Sequence, residues 1–370
     1  MAGLSLIELM IAMLIGLLLI LGVVQIFSAS RTAYQLTEGL SRTQENGRFA
    51  MDYLQRDLRM VGHYGCINDQ SRLQQAGKLS MDLDAATNPQ LNFAQSLQGY
   101  DANSTGPTNT VNLAGPTAGW TPALPGYISG LVPAPLPGSD IVVLRFFTPD
   151  GAPVTGISAN TVTVDTTRWP MLQQGGVTTP VLFGLGDCTY ADVFQGSGSG
   201  TVTATGGLNT LNAAGFTTNF ARYTNTPAGT AMLFRAEMLV YYVGTGTGGV
   251  PALHRARFNG AGATVEELVE GIENLQFLYG QDAGAVTALT GRITNSVTAA
   301  TLSNTEANWR RVGQIQVGML ASSPDRAASA KAETATAPHA LGVEFTVPTD
   351  GRFRASYEAT VALRNRLYGN

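Results

Sequence analysis

The stretch Leu9–Phe27 reads LMIAMLIGLLLILGVVQIF, with Gln25 its only strongly polar side chain. At 1.5 Å per residue a helix over Leu6–Phe27 is about 33 Å long, enough to cross a hydrocarbon core of roughly 30 Å. A helix apolar all round is buried in the core of a large protein or in a membrane, and a run of this length without a break argues against the soluble core. A cleaved secretory signal would have a basic n-region and a small-x-small site after a shorter apolar run. No Lys or Arg precedes Arg31, and helical sequence continues past Phe27. Residues 6–27 therefore read as a retained membrane helix. Arg31 lies on its C-terminal side, so the distribution of basic residues does not set the orientation. Glu8 stands at the edge of the span, where a carboxylate costs less than the about 2.5–3.5 kcal/mol of an Asp at the centre. It either sits among headgroups or pairs with a cation once the helix is packed among others.

The helix does not stop at the membrane. No proline occurs before Pro89, and Ala33, Leu36, Leu40, Thr43, Gly47, Ala50, Leu54, Leu58 and Val61 recur at spacings of three and four. They form one modest apolar stripe on an amphipathic continuation over residues 28–62. Glu38 with Arg42, and Asp52 with Arg56, are acid-before-base pairs at i,i+4. Gly62 and Gly65 bracket a break near His63-Tyr64. A stripe containing Thr43 and Gly47 is too weakly apolar for a free-standing coiled coil, so this half is expected to dock on a globular head over residues 63–370.

The remaining composition describes that head. The 370 residues carry 22 Lys+Arg against 26 Asp+Glu, a net charge of -4, and only 13% are charged, about half the ~25% usual in soluble domains. Gly numbers 43, and the only lysines are Lys78 and Lys331. Such a chain is neither a charged disordered tail nor a surface that binds nucleic acid throughout. Residues 67–138 hold no strongly periodic segment and are expected to form an irregular, partly ordered insertion with a few short strands. Strand signals dominate beyond it: Asp140–Phe147, Thr161–Val164, a hairpin of Met232–Val243 with Leu253–Phe258, and Gln314–Leu320 with Ile315, Val317 and Met319 on one face. In a further, final strand Phe353, Ala355, Tyr357, Ala359, Val361 and Leu363 alternate with polar residues. Gly196–Gly200 and residues 327–338 read as mobile loops. The fold class is α+β: a long N-terminal helix docked on an antiparallel β-sheet head.

Catalytic, cofactor and metal constellations do not emerge. Gly244-Thr-Gly-Thr-Gly-Gly249 matches a dinucleotide fingerprint literally, but Pro251 and a strand follow where a helix should begin, so a hairpin turn is expected. Asp82-Leu-Asp84 lacks the glycine and terminal glutamate of a calcium loop. His63, His254 and His339 are isolated from other ligands at metal spacing. No Ser-His-Asp set can be named, so the chain reads as a non-enzyme with no cofactor. Arg352, Arg354, Arg364 and Arg366 could touch DNA, but a solvated sheet face is the expected reading.

Gly3-Leu4-Ser5-Leu6-Ile7-Glu8-Leu9-Met10 resembles the class III prepilin signal of type IV pilins and type II secretion pseudopilins. Three groups of residues are similar to the helix end of PilW-family minor pilins: Glu45-Asn-Gly-Arg-Phe-Ala50, Leu54-Gln-Arg-Asp-Leu-Arg59 and Gly62-His-Tyr-Gly-Cys66. Leu239–Val243, Val269–Gly280 and Val361–Arg366 are similar to later blocks of that family. Coverage is the first 66 residues and roughly the last 140. The leader Met1-Ala2-Gly3 lacks the usual basic residue, and Gln25 stands where a helix proline is often found. The resemblance implies a pilin-like fold and cleavage after Gly3 in the leader 1–3 by a prepilin peptidase, with methylation of Leu4. Residues 4–27 would form the fibre-core helix, and Glu8 would neutralise the N-terminal ammonium of a neighbouring subunit.

The implied function is that of a minor pilin that helps initiate or cap a type IV pilus. It would be held in the bacterial inner membrane with a periplasmic head and later placed at the pilus tip on the cell surface. Implied partners are other minor pilins, the major pilin, a tip adhesin and the prepilin peptidase; nucleic acid is not expected. A pseudopilin of type II secretion, or a tip module for adhesion or DNA uptake, are the alternatives. Cys66 and Cys188 suit a head exported to an oxidising compartment, either bridged or as two free thiols.

Overall fold

The computed structural model describes residues 5–68, 78–223, 230–286, 288–303, 305–326 and 337–366. A single helix, Leu6–Leu58, runs for 53 residues, about 80 Å. With no proline in it, nothing breaks the ladder of backbone hydrogen bonds. Its N-terminus is closed by a capping box: Ser5 Oγ accepts from the Glu8 amide at 3.3 Å, and Glu8 Oε2 accepts from the Ser5 amide at 2.9 Å. Gly62 and Gly65, both at positive φ, turn the chain out of the helix into the short strand His63–Tyr64.

The head is largely β. Among the described residues its two main sheets have 12 and four strands, all but one of their pairings being antiparallel, beside one sheet of three strands and one of two. In the four-stranded sheet Ile293–Val297, Ile272–Asp282, Val312–Ser322 and Arg354–Ala362 lie side by side in that order. The hub of the larger sheet is Met232–Thr245. Its first four residues pair with Leu182–Gly186 and its middle with Ile141–Phe147, while its end forms the expected hairpin with Pro251–Phe258. Gly244–Gly249 belongs to that hairpin's turn, closed by Gly246 N–H donating to Val250 O at 2.7 Å. The strands Ala152–Ser158, Thr161–Val164, Thr201–Ala204, Ala191–Ser199 and Leu182–Gly186 join Met232–Thr245 in a closed ring of hydrogen-bonded neighbours. Phe183, Phe194, Phe216, Phe220 and Trp169 share one apolar cluster with these strands. Gly196–Gly200 is therefore no loop: it forms the end and tight turn of a hairpin, with Gly198 and Gly200 at positive φ. Residues 327–336 lie outside the described residues.

Both faces of Ile141–Phe147 are covered, which explains why it reads IVVLRFF without alternation. Val142, Leu144 and Phe146 face the helix residues Ala50, Met51, Leu54 and Leu58 in a core that also takes Phe277, Ile315, Val317 and Val361. The helix thus packs on both sheets. Ile141, Val143 and Phe147 face the other way, onto Leu83, Leu91, Phe93, Tyr100, Ile128 and Leu131. Residues 79–131 are consequently the cover of the second face, and Leu97–Ala102 joins the larger sheet beside Ile141–Phe147. They are less irregular than composition alone suggested, because backbone polar groups laid on a buried face must be paired. Arg145, fully buried, pins this cover by donating to Gln90 O at 2.8 Å, Gln95 O at 2.7 Å and Pro89 O at 3.2 Å. Asp140 joins the two sheets by accepting from the amides of Ala102 (2.8 Å) and Phe277 (2.9 Å). Burial and the nearby Asp101 carboxyl push its own carboxyl well above the usual range.

Docking of the helix begins at Gly39. Gly39, Thr43, Gly47, Ala50, Met51, Leu54, Asp57 and Leu58 are buried, whereas Ala33, Leu36 and Leu40 of the expected stripe are exposed. Small residues decide the approach. A Cβ on Gly47 would fall 2.3 Å from the Tyr357 ring, whose hydroxyl donates to Thr43 O at 3.2 Å. Gly47→Ala should therefore destabilise the head by about 1–3 kcal/mol through overpacking. In a Tyr357→Ala background the same change should cost nothing, since alanine favours a helix by about 1 kcal/mol over glycine. Urea unfolding of the four variants in detergent micelles reads this coupling, and equal costs in both backgrounds would refute the close approach.

Candidate functional site

Two features of the helix are candidates for function: its uncovered half and its junction with the head. From Leu6 to Phe27 every large apolar side chain is at least 48% exposed, so no other part of the described chain covers the segment. By length and composition it is a candidate membrane span. Glu8 is exposed at its start, with its carboxylate engaged in the capping box. Gly3 and Leu4, the expected cleavage and methylation positions, lie outside the described residues.

At the other end, Asp57 in the last turn of the helix is buried and accepts from Tyr241 Oη at 2.5 Å and from Arg255 Nη1 at 3.3 Å. Burial, and then the Asp57 carboxylate beside it, push the Tyr241 hydroxyl well up, so it remains the donor. From Asp57 an alternating row of charge crosses the sheet. Arg255 Nη2 meets Glu266 Oε2 at 2.7 Å, Arg257 Nη1 meets Glu266 Oε1 at 3.4 Å, and Arg257 Nε meets Glu237 Oε2 at 3.1 Å. Arg235 Nε then meets Glu237 Oε1 at 2.9 Å and its Nη1 donates to Leu172 O and Gln174 O, each at 2.6 Å. Strand register makes the row. Arg255 and Arg257 are two apart on one strand and so share a face, and Glu266 is paired with Arg255 on the next strand. Of the acid-before-base pairs on the helix, Glu38–Arg42 forms at 2.6 Å. Arg56 instead turns toward the row's cavity and has no acidic partner among the described residues.

Cys66 and Cys188 form a disulfide, joining the chain just beyond the helix to the turn between Leu182–Gly186 and Ala191–Ser199. Closing a loop of 122 residues stabilises by about 5 kcal/mol in the chain-entropy model. The three histidines lie apart. His63 is half-buried with Nδ1 at 3.1 Å from Phe147 O, His254 is buried and stacked on Tyr242, and His339 is exposed. No group of three or more metal-ligating side chains occurs among the described residues. Of the four C-terminal arginines Arg364 is exposed and Arg352 half-buried, but Arg354 and Arg366 are not part of a solvated face. Arg354 is buried between Glu273 (2.7 Å) and Asp350 (2.7 Å), and Arg366 is buried and donates to Trp309 O at 2.5 Å. Polar alternation on a strand marks a face as polar without saying what covers it.

Two measurements probe these sites. Removing one member of a buried ion pair leaves the other without compensation, so Asp57→Ala should cost about 3 kcal/mol in urea unfolding; an unchanged midpoint would dismiss the row as an anchor of the helix. Asp82 supplies a pH test. Burial, and then Asp192 facing it, push its carboxyl up to about 7. Between about pH 4 and 7 the native state then holds a proton that the unfolded chain has released. That contribution to stability falls as pH rises through this window and is level above it. Asp82→Asn should flatten the fall in thermal midpoint between pH 4.5 and 7.5; a profile as steep as the wild type would refute the shift.

Residues 240–365 match the family model for PilW, the type IV pilus-assembly protein W. No curated protein and no solved structure matches the chain. The match runs from the second half of Met232–Thr245 to just past Arg354–Ala362, and so takes in the whole four-stranded sheet on which the helix docks. The ring of strands between residues 152 and 235 lies outside it. The uncovered apolar helix and the docking sheet are in keeping with that match, which spans about a third of the chain and supports a PilW-family type IV pilus protein.

Proposed function

We propose that the chain is a minor pilin that helps initiate or cap type IV pilus assembly as part of a tip complex. In this reading it is anchored in the bacterial inner membrane by residues 6–27 with its head in the periplasm. It later sits at the pilus tip on the cell surface, supporting adhesion and twitching motility. The observation that carries the reading is the uncovered apolar half of a helix whose other half is buried in the head. A segment apolar all round suits lipid before assembly and the packed core of a fibre afterwards. Its partners are other minor pilins, the major pilin, a tip adhesin, and a prepilin peptidase acting between Gly3 and Leu4.

Glu8 is proposed to neutralise the ammonium of a neighbouring subunit, since an unpaired ion in a dry bundle is expensive. The capping box allows this role to be separated from helix stability. Glu8→Gln keeps an acceptor for the Ser5 amide but loses the charge, and Glu8→Ala loses both. Both variants should insert in the membrane at wild-type levels, and both should enter sheared pili several-fold less. If Glu8→Gln assembled normally, the charge would have no part in assembly. A second reading, a tip module that contacts surfaces or DNA, draws support from the strand ring, whose strands before Met232–Thr245 lie outside the family match.

A further inference from the structure

A cavity of about 320 Å³ opens beside the last turn of the helix. Its floor is Phe146, Leu239, Glu237, Arg235, Arg255 and Arg257, and its rim includes the exposed Arg56, Gln174 and Gly175. Its volume is at the low end for ligand pockets, enough for one or two side chains.

The charges around it do not balance. Arg56, Arg235, Arg255 and Arg257 give four positive charges, and Asp57, Glu237 and Glu266 give three negative ones, which leaves one positive charge. On the helix surface Asp52 and Arg59 flank Arg56 and cancel each other. Most of the carboxylate oxygens are already engaged, Asp57 Oδ2 by Tyr241 and Arg255. Both oxygens of Glu237 and both of Glu266 receive arginine N–H groups. The cavity thus offers donors and a single surplus positive charge, which suits an anion and not a cation. A monoanion neutralises it; a phosphate dianion would overshoot. Guanidinium forks bind carboxylates with two parallel hydrogen bonds. The rim is also where the last turn of the helix meets the loop after Leu172, on a face the rest of the described chain leaves open.

We infer that this cavity seats a single carboxylate, presented by an Asp or Glu side chain or the C-terminus of a neighbouring subunit, with Arg56 closing on it from the rim. The subunit as the source rests on the pilus reading; the preference for a carboxylate does not.

The full-length protein in detergent micelles is titrated at constant ionic strength with the blocked dipeptide acetyl-Gly-Glu-amide. The controls are acetyl-Gly-Gln-amide, sodium acetate and inorganic phosphate, and the readout is the thermal midpoint from tryptophan fluorescence. The Glu peptide should raise the midpoint saturably and the Gln peptide should not. Arg56→Gln, whose side chain has no acidic partner to lose, should leave the unliganded midpoint in place and weaken the response at least tenfold. No difference between the Glu and Gln peptides, an undiminished response in Arg56→Gln, or phosphate outcompeting the carboxylates would each overturn the assignment. In cells, Arg56→Glu should lower incorporation into pili several-fold at unchanged membrane level. Normal incorporation by a variant that has lost peptide binding would overturn the subunit as the source and leave a free carboxylic acid, for which acetate is the probe. Because the titration involves no pilus, its failure is distinguishable from failure of the minor-pilin reading, which the Glu8 variants test.

Discussion

Everything else in the molecule depends on the close seating of the lower helix on the head. One uninterrupted helix serves two environments, and they ask opposite things of its surface. The upper half must be apolar in every direction, which its exposed leucines and isoleucines provide. The lower half must approach two sheets closely along one face, which calls for Gly39, Thr43, Gly47 and Ala50 and not for bulk. Larger residues on this face would hold the helix off Tyr357 and unseat the core shared by both sheets. Without a proline or other break between Leu6 and Leu58, the orientation of the head relative to the upper half is set by that seating.

The charge row secures the same junction by a different physics. Apolar packing is non-directional, so a helix of small residues could slide along its seat. Asp57 held by Tyr241 and Arg255 fixes one turn of the helix to one position on the strands. Each carboxylate further along the row has two arginine partners, which limits the desolvation cost of burying it. The row ends on the backbone carbonyls of Leu172 and Gln174, so it also ties the strand ring to the helix-bearing half.

Much of this plan was legible in the sequence, and the gaps have physical causes. Leu9–Phe27 declared itself by length and uniformity, and Arg354–Ala362 by strict alternation. Ile141–Phe147 was visible as a strand, but its unbroken apolar run also meant that something covers its second face, and residues 79–131 are that cover. Gly196–Gly200 looked like a loop because glycine composition suggests flexibility, whereas strand pairing and positive-φ turns use the same residue. The charge row was invisible: Glu237 and Arg257 are 20 residues apart, Asp57 and Arg255 198 apart, and only strand register brings them together. Arg354 and Arg366 looked solvated for the same reason, since Glu273 and Trp309 meet them from distant strands and turns.

The disulfide between Cys66 and Cys188 has a mechanical meaning. Tension drawn along the helix enters the head through the segment that ends at Cys66. From there the covalent bridge offers a direct route to Cys188, so the covalent path of tension bypasses the residues between the two cysteines. Those residues include the cover pinned by Arg145 and the first strands of the ring. The covalent backbone of those elements is therefore spared when the helix is pulled, and the strain falls on the helix seat, Ile141–Phe147 included, and on the strands after Cys188. A polypeptide that passes tension from one end of its helix to the rest of its head is, in this respect, shortened by a single bond.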